Sequence, residues 1–317
     1  MLPTNWIVNA EKRLAGRISL TPVSFEKQLN SFIKWENKQK SGSFKIRGAL
    51  NKILQLSPEE IQHDLVTVTS GNQGLAAAMG AKMIGAKIIV FASDSISQEK
   101  KEAIQKYGAE IRLVSGGYGE AEKTAIEFSK TNQKIWISPY NDGLVIAGQG
   151  TLGLEISRQI ELNDIDQIVF PIGGGGLAAG IGASMERLST HPKLIGIQSS
   201  ASPYFFQEYH THSQININEE ATLAEGLAGQ VEQGSITIPL VHHYLDDILL
   251  VTEDEIGQAI VFAWDTWKEK IEGSGVVPLA AALSGKLGNK KSVLVFSGGN
   301  IDSDIFSTVY QKWNSNT

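Results

Sequence analysis

The sequence predicts a doubly wound α/β fold. Three observations carry it. Short, uniformly apolar, β-branched runs recur from about residue 60 onward, as parallel strands covered on both faces require. Stretches with apolar residues at helical spacing lie between them. Clusters of glycine and small polar residues sit where those runs hand over to helices.

In order, Ser41 to Ala49 leads a helix whose apolar face is Ile46, Ala49, Leu50, Ile53 and Leu54. Leu65–Val68 reads as a strand, followed by a helix through Leu75, Ala78, Met79 and Met83. Lys87–Phe91 is the next strand, with a helix through Ala103, Ile104 and Tyr107. Ile111–Val114 and Ile135–Ile137 are strands, and turn residues cluster from Pro139 to Gly143, which marks a domain boundary. Gln167–Ile172, Leu194–Ile197 and Val293–Phe296 complete the strand set. Glu253 to Ile271 reads as the longest helix, opened by a capping box of Thr252 with Glu255.

Composition narrows the function. The 317 residues suffice for one large or two ordinary domains. With 42% hydrophobic and 20% charged residues the chain is globular. Its 28 basic and 34 acidic residues leave a net charge of -6, so no basic face favours nucleic acid. The absence of cysteine removes disulfides, thiolate metal sites and a cysteine nucleophile, and fits a reducing compartment. No apolar run approaches the ~20 residues of a membrane helix, and the polar start from Met1 to Gly16 is no signal peptide. The expectation is a cytoplasmic protein with neither membrane nor nucleic-acid partner.

In doubly wound sheets, ligands bind where strands end and helices begin. Four such junctions carry chemistry. After the strand ending at Ile172 come Gly173, Gly174, Gly175 and Gly176, then Leu177, opening a helix. Glycines let backbone N–H groups approach an anion, and the helix dipole favours it. A P-loop would need Gly-Lys-Ser/Thr, which is absent, and Gly173-x-Gly175-x-x-Ala178 is followed by Gln198-Ser199-Ser200 instead of an acidic ribose ligand. A small phosphate monoester fits better than a dinucleotide. Lys45, flanked by Phe44 and Ile46, begins a helix. A helix N-terminus and apolar neighbours both disfavour its charge, as an imine-forming amine needs, although a lone lysine there is ordinarily a surface residue. Thr69-Ser70-Gly71-Asn72-Gln73-Gly74 offers hydroxyls, amides and a helix N-terminus to a carboxylate, or a simple N-cap. Ser297-Gly298-Gly299-Asn300 ends a strand with a hydroxyl that can meet a ring nitrogen, or forms a turn. Together, an imine lysine, a phosphate loop, a carboxylate cradle and a ring-nitrogen partner describe pyridoxal 5'-phosphate with a small amino-acid substrate. The six histidines are scattered, and His210-Thr211-His212 reads as part of a solvated loop; no metal site is expected.

These motifs, Ser43 to Ala49, Ser70-Gly71-Asn72, Gly173 to Gly176 and Ser297 to Asn300, resemble the pyridoxal-phosphate-dependent serine/threonine dehydratase and serine racemase family. Val145 to Thr151 and Thr222 to Pro239 extend the resemblance over nearly the whole chain. It implies the tryptophan-synthase-β-like fold (fold type II), with two doubly wound parallel-sheet domains: a large one from residues 1–60 and 143–317, and a small one from 61–142. It further implies that Lys45 binds the cofactor aldehyde, Phe44 packs beside it, Asn72 meets the ring hydroxyl, and Gly173 to Leu177 hold the phosphate. Ser297 would meet the ring nitrogen, Glu272 would stand near the ring, and Ser70, Asn72 and Gln73 would hold the substrate carboxylate. Lys45 and Ser70 are the expected catalytic pair. Family members are commonly homodimers.

The implied reaction is α,β-elimination from L-threonine or L-serine, giving a 2-keto acid and ammonia. Serine racemases carry serine where Ser70 stands and most threonine dehydratases carry alanine, so a racemase or bifunctional enzyme is the alternative, and a hydroxyaspartate-type dehydratase a second. A non-catalytic cofactor- or amino-acid-binding protein would need a broken lysine or cradle. Racemases also bind a divalent cation through carboxylates after the strand that follows the glycine loop. Gln198 and Tyr204 stand at those places here, so that site looks lost. Gln73 replaces a usual histidine, and Ala224 to Gly229 is closer to dehydratases. With the chain ending at Thr317, a regulatory C-terminal domain is not expected.

Overall fold

The computed structural model describes residues 1–188, 191–215 and 217–314. In chain order the elements are α1 (Thr4–Leu14), β1 (Val23–Glu26), β2 (Ser31–Trp35), α2 (Lys45–Ile53), α3 (Pro58–Ile61), β3 (Leu65–Thr69), α4 (Asn72–Ile84), β4 (Ile88–Ser93), α5 (Gln98–Gln105), β5 (Glu110–Val114), α6 (Tyr118–Thr131) and β6 (Ile135–Trp136). They continue with α7 (Gly143–Gln159), β7 (Gln167–Pro171), α8 (Gly176–Met185), β8 (Lys193–Ser199), α9 (Tyr204–Thr211), α10 (Thr237–Tyr244), β9 (Asp247–Val251), α11 (Glu253–Trp267), α12 (Gly273–Leu283), β10 (Ser292–Phe296) and α13 (Ser303–Asn314).

The strands form two sheets. One has the order β1-β2-β10-β7-β8-β9 and is parallel except for the antiparallel edge pair β1/β2. The other has the order β5-β4-β3-β6 and is wholly parallel. Its strands β3 and β7 of the first sheet are buried at every position, which explains why they read as unbroken apolar runs. Hydrophobic clusters cover both faces of the larger sheet: Phe170, Ile172, Val293 and Val295 belong to one, and Val169, Ile197, Leu294 and Phe296 to the other. A third cluster joins Ile46, Leu50 and Ile53 of α2 to Leu65, Ala77 and Val90 of the smaller sheet's layer.

Two sequence expectations are corrected here. Glu253 to Ile271 is not one helix: α11 stops at Trp267, where Lys268 takes a left-handed φ of 55°. Its start does hold, with both hydrogen bonds of the Thr252/Glu255 capping box present. Among the described helices the longest is α7, at 17 residues against 15 for α11. Four glycines hide it by diluting its apolar pattern, and those glycines have a purpose. A Cβ on Gly148 would lie 2.4 Å from the Arg47 carbonyl oxygen, and one on Gly150 would lie 2.8 Å from that of Gly180. The backbone of α7 thus touches α2 on one side and α8 on the other. The second correction concerns His210 and Thr211, which belong to α9, while His212 caps it.

Beneath this crossing lies a buried ion network. Arg47 of α2, 1% exposed, makes two bonds of 2.7 Å to the Glu36 carboxylate and one of 2.9 Å to Glu155 of α7. Lys34 of β2, fully buried, donates to Glu155 at 2.5 Å, to Gln159 at 2.7 Å and to the Thr21 carbonyl at 2.8 Å. Two cations thereby face two carboxylates, the arrangement in which buried charge is tolerated.

Candidate active site

β2, β10 and β7 are neighbours running parallel, so their C-terminal ends emerge side by side. The chain leaves β2 toward Lys45, β10 at Ser297 and β7 at the glycine loop. Strand order alone therefore brings three of the four chemical junctions together. The fourth, Thr69 to Gln73, arrives at the C-terminal end of β3 in the other sheet.

Backbone bonds fix the first of these segments to one another. Ser43 bridges Gly298, Phe44 N–H donates to the Ser297 carbonyl at 3.0 Å, Gly299 N–H to that of Gly42 at 2.9 Å, and Glu272 N–H to that of Gly298 at 3.2 Å. A Cβ on Gly298 would sit 2.1 Å from a Glu272 carboxylate oxygen, so any larger residue there would push the Glu272 side chain aside. Side chains tie in the fourth junction. Asn72 Nδ2 donates to Glu272 Oε1 at 2.6 Å, while Asn300 Nδ2 donates to Asn72 Oδ1 at 2.6 Å and to the Ser41 carbonyl at 2.9 Å.

The resulting cavity is lined by Phe44, Lys45, Ser70, Asn72, Gln73, Gly173, Gly174, Gly175, Leu177, Glu272 and Ser297 among others. Of the residues expected from sequence, only Gly176 stands behind the lining, with a would-be Cβ 3.0 Å from Tyr140 Cα. The structure adds a wall the sequence reading missed: Tyr118, Tyr140 and the strap Glu225 to Gln230. Tyr140 packs flat enough on the loop that a Cβ on Gly174 would meet its Cγ at 2.4 Å. Its signal was its place beside Pro139 in the turn cluster, and the whole strap fell within the family-like stretch Thr222 to Pro239. Glu122 gave no signal at all. It accepts from Tyr118 at 3.2 Å and from Tyr140 at 3.4 Å, and burial raises its pKa to about 7.

Lys45 is the first residue of α2. Its Nζ donates to the Pro139 carbonyl at 3.0 Å. Burial pulls its pKa down to about 8, against the opposing pull of the Glu122 and Glu272 carboxylates. Glu272 is itself raised to about 7 by burial, with the Asn72 amide holding it lower than it would otherwise lie. Gln73 is buried, donates only a long bond of 3.4 Å to Thr67, and has an unpartnered Oε1.

These residues fit pyridoxal phosphate. Among the described residues, the backbone N–H groups of 173–178 find no protein acceptor, while Thr237 holds the Gly174 carbonyl at 2.8 Å. Unpaired amides at the start of a helix are donors for a phosphate. A desolvated amine and a strand-end hydroxyl share the cavity with them.

Residues 15–298 match the family described as "Pyridoxal-phosphate dependent enzyme". The chain belongs to that family. Among its relatives, L-threonine ammonia-lyase of Geobacter sulfurreducens is 35% identical, over 98% of this chain and 79% of that protein. The catabolic L-threonine dehydratase TdcB of Escherichia coli K12 is 36% identical, over 93% of this chain and 92% of that protein. Among solved structures, serine racemase from Dictyostelium discoideum superposes with a TM-score of 0.84 at 33% identity, covering 95% of this chain and 99% of that one. Maize serine racemase gives 0.87 at 28% identity, covering 98% of both chains. The fold type II architecture and the cofactor expected from sequence are thus those of the family.

We propose that Lys45 is the amine that captures the cofactor aldehyde, which only its neutral form can attack. With the amine's pKa at about 8, the neutral fraction shrinks about tenfold for each pH unit below that value. Cofactor uptake by the apo-protein is expected to rise with pH and level off above about 8. Stopped-flow absorbance across pH 6 to 9.5 checks this (both ends are chosen to bracket about 8). A flat profile would contradict it.

Proposed function

We propose that this protein is an ammonia-lyase that converts L-threonine, L-serine or both to the 2-keto acid and ammonia. The observation that carries the reading is the coexistence, in one cavity, of the low-pKa Lys45 amine, the Ser70–Gln73 cradle and the amide-lined glycine loop. The named relatives support the same reaction. The residues divide the work between the large domain, 1–60 with 143–317, and the small domain, 61–142.

In this scheme Gly173 to Leu177 receive the cofactor phosphate on backbone N–H groups, Phe44 packs beside the ring, and Ser297 meets the ring nitrogen. Bound through its aldehyde to an amine, the cofactor acts as an electron sink that acidifies the substrate Cα–H. Ser70, Asn72 and Gln73 orient the substrate carboxylate. Lys45 Nζ takes the proton from Cα, a role suited to an amine whose pKa lies near the working pH. Glu272, held by Asn72, fixes the edge of the ring site without adding a second full charge at neutral pH. Loss of the α-proton and the β-hydroxyl, followed by hydrolysis of the released enamine, yields keto acid and ammonia.

The second reading, racemisation, is favoured by one observation: Ser70, a half-buried hydroxyl, lines the same cavity as Lys45. The relatives of known structure include serine racemases. A panel of L-threonine, L-serine and hydroxyaspartate, assayed for keto acid, ammonia and product chirality, separates the readings. Equimolar keto acid and ammonia from threonine are expected. D-serine as main product with little keto acid would overturn the lyase assignment.

A small amino-acid substrate follows from the family. The finer reading is a cytoplasmic protein, which the lack of cysteine fits, and a homodimer, which the family resemblance implies. Among the described residues no helix is long and apolar enough to cross a membrane.

A further inference from the structure

Away from the cavity, one group of side chains has the composition and spacing of a transition-metal site. Glu208 lies on α9, and His212 is the left-handed residue that caps the end of that helix. α10 supplies His242. One ligating atom from each of the three lies within 4.8 Å of the other two. His242 Nε2 stands 3.0 Å from Glu208 Oε2, and the His212 and His242 rings stack with centroids 4.8 Å apart. Tyr209 stacks on the His242 ring at 5.1 Å and 11°, which holds its plane.

The hydrogen bond between them accounts for His242 and the buried Glu208 but not for His212. Among the described residues its ring makes no hydrogen bond. Zinc binds imidazole nitrogen and carboxylate oxygen at about 2.0–2.2 Å, so tetrahedral ligand atoms lie roughly 3.3 Å from one another. The Glu208–His242 separation of 3.0 Å is already near that value, and a ligating atom of His212 lies within 4.8 Å of both. Two nitrogens against one oxygen favour a borderline metal such as Zn²⁺ over Mg²⁺ or Ca²⁺.

We propose that Glu208, His212 and His242 form a Zn²⁺ site that clamps α9 to α10, with water in the fourth position. The site is empty here. Its place gives it consequence, because Thr237, the first residue of α10, holds the Gly174 carbonyl in the phosphate loop. A metal between the two helices would brace that support from outside, without touching the cavity.

The test is calorimetric titration of Zn²⁺ into chelator-stripped holoenzyme, run beside His212→Ala, His242→Ala and His210→Ala. The expected result is one Zn²⁺ per chain, binding weakened by about tenfold or more in the first two variants and unchanged in the third, and no comparable heat from Mg²⁺. His212 is exposed at a helix end, so its variant decides the matter even if His242→Ala folds poorly. No Zn²⁺ binding by the unmodified holoenzyme, or equal affinity in His212→Ala, would overturn the proposal. So would loss of binding in His210→Ala alone, which would place the metal on the His210–Asp247 pair.

Discussion

Replacing Lys45 by alanine is expected to lower turnover of threonine and serine by about 10⁴-fold or more, because it removes at once the proposed aldehyde-binding amine and the proposed proton acceptor. The cofactor would then be held only by its phosphate and ring, so dialysis should strip it and bleach the long-wavelength absorbance. Lys45→Arg should behave alike, since a guanidinium keeps the charge but neither deprotonates nor forms an imine. The fold should survive both changes. A folded-state pKa of about 8, below the ordinary lysine value, means the protonated amine is disfavoured inside the cavity. The stability linked to that group is therefore present above the ordinary value and lost as pH falls through about 8. Alanine removes this penalty, so apo Lys45→Ala at neutral pH should melt no lower than the unmodified apo-protein. Near-normal keto-acid release by Lys45→Ala would exclude the scheme.

The second large effect should come from a residue that never meets the substrate. Arg47→Met leaves Glu36 and Glu155 buried with Lys34 as their one remaining cation, and breaking such a pair costs about 3–5 kcal/mol. Arg47 lies two residues beyond Lys45 on α2, so the same change should loosen the amine's position. Denaturant unfolding would show the stability loss, and cofactor affinity would show the displacement. Combining Arg47→Met with Glu36→Gln should recover part of the stability by removing one stranded carboxylate. Equal stability of Arg47→Met and the unmodified protein would mean that the network contributes nothing.

Much of this was legible in the sequence, for identifiable reasons. The buried parallel strands β3, β4, β7 and β10 announce themselves because both faces are covered. The glycine loop and Lys45 are local signals, each complete within about ten residues of chain. What escaped was whatever depends on distant partners. β2 carries Lys34, whose charge reads as solvent-facing until Glu155 arrives from 121 positions away to meet it. β1 is an antiparallel edge whose Val-Ser-Phe-Glu sequence lacks the apolar run that marked the others, whereas β9 carries such a run, Ile248 to Val251, and was missed on a sheet edge that is only partly buried. Glu122 is unremarkable in sequence, and only the burial that folding imposes, against the opposing hydrogen bonds of Tyr118 and Tyr140, turns it into a carboxyl with a pKa of about 7. His212 is exposed, as a solvated residue should be, and only the fold brings His242 of another helix beside it.

The stitching of Gly42, Ser43 and Phe44 to Ser297, Gly298 and Gly299 has a consequence for biogenesis. A polypeptide still emerging from the ribosome, with residues beyond about 290 unmade, owns the lysine and the glycine loop but lacks the strand β10 that lies between β2 and β7. Vitamin capture must therefore wait for the whole message to be read, and any truncation that spares the lysine while deleting the final strand should yield a colourless protein.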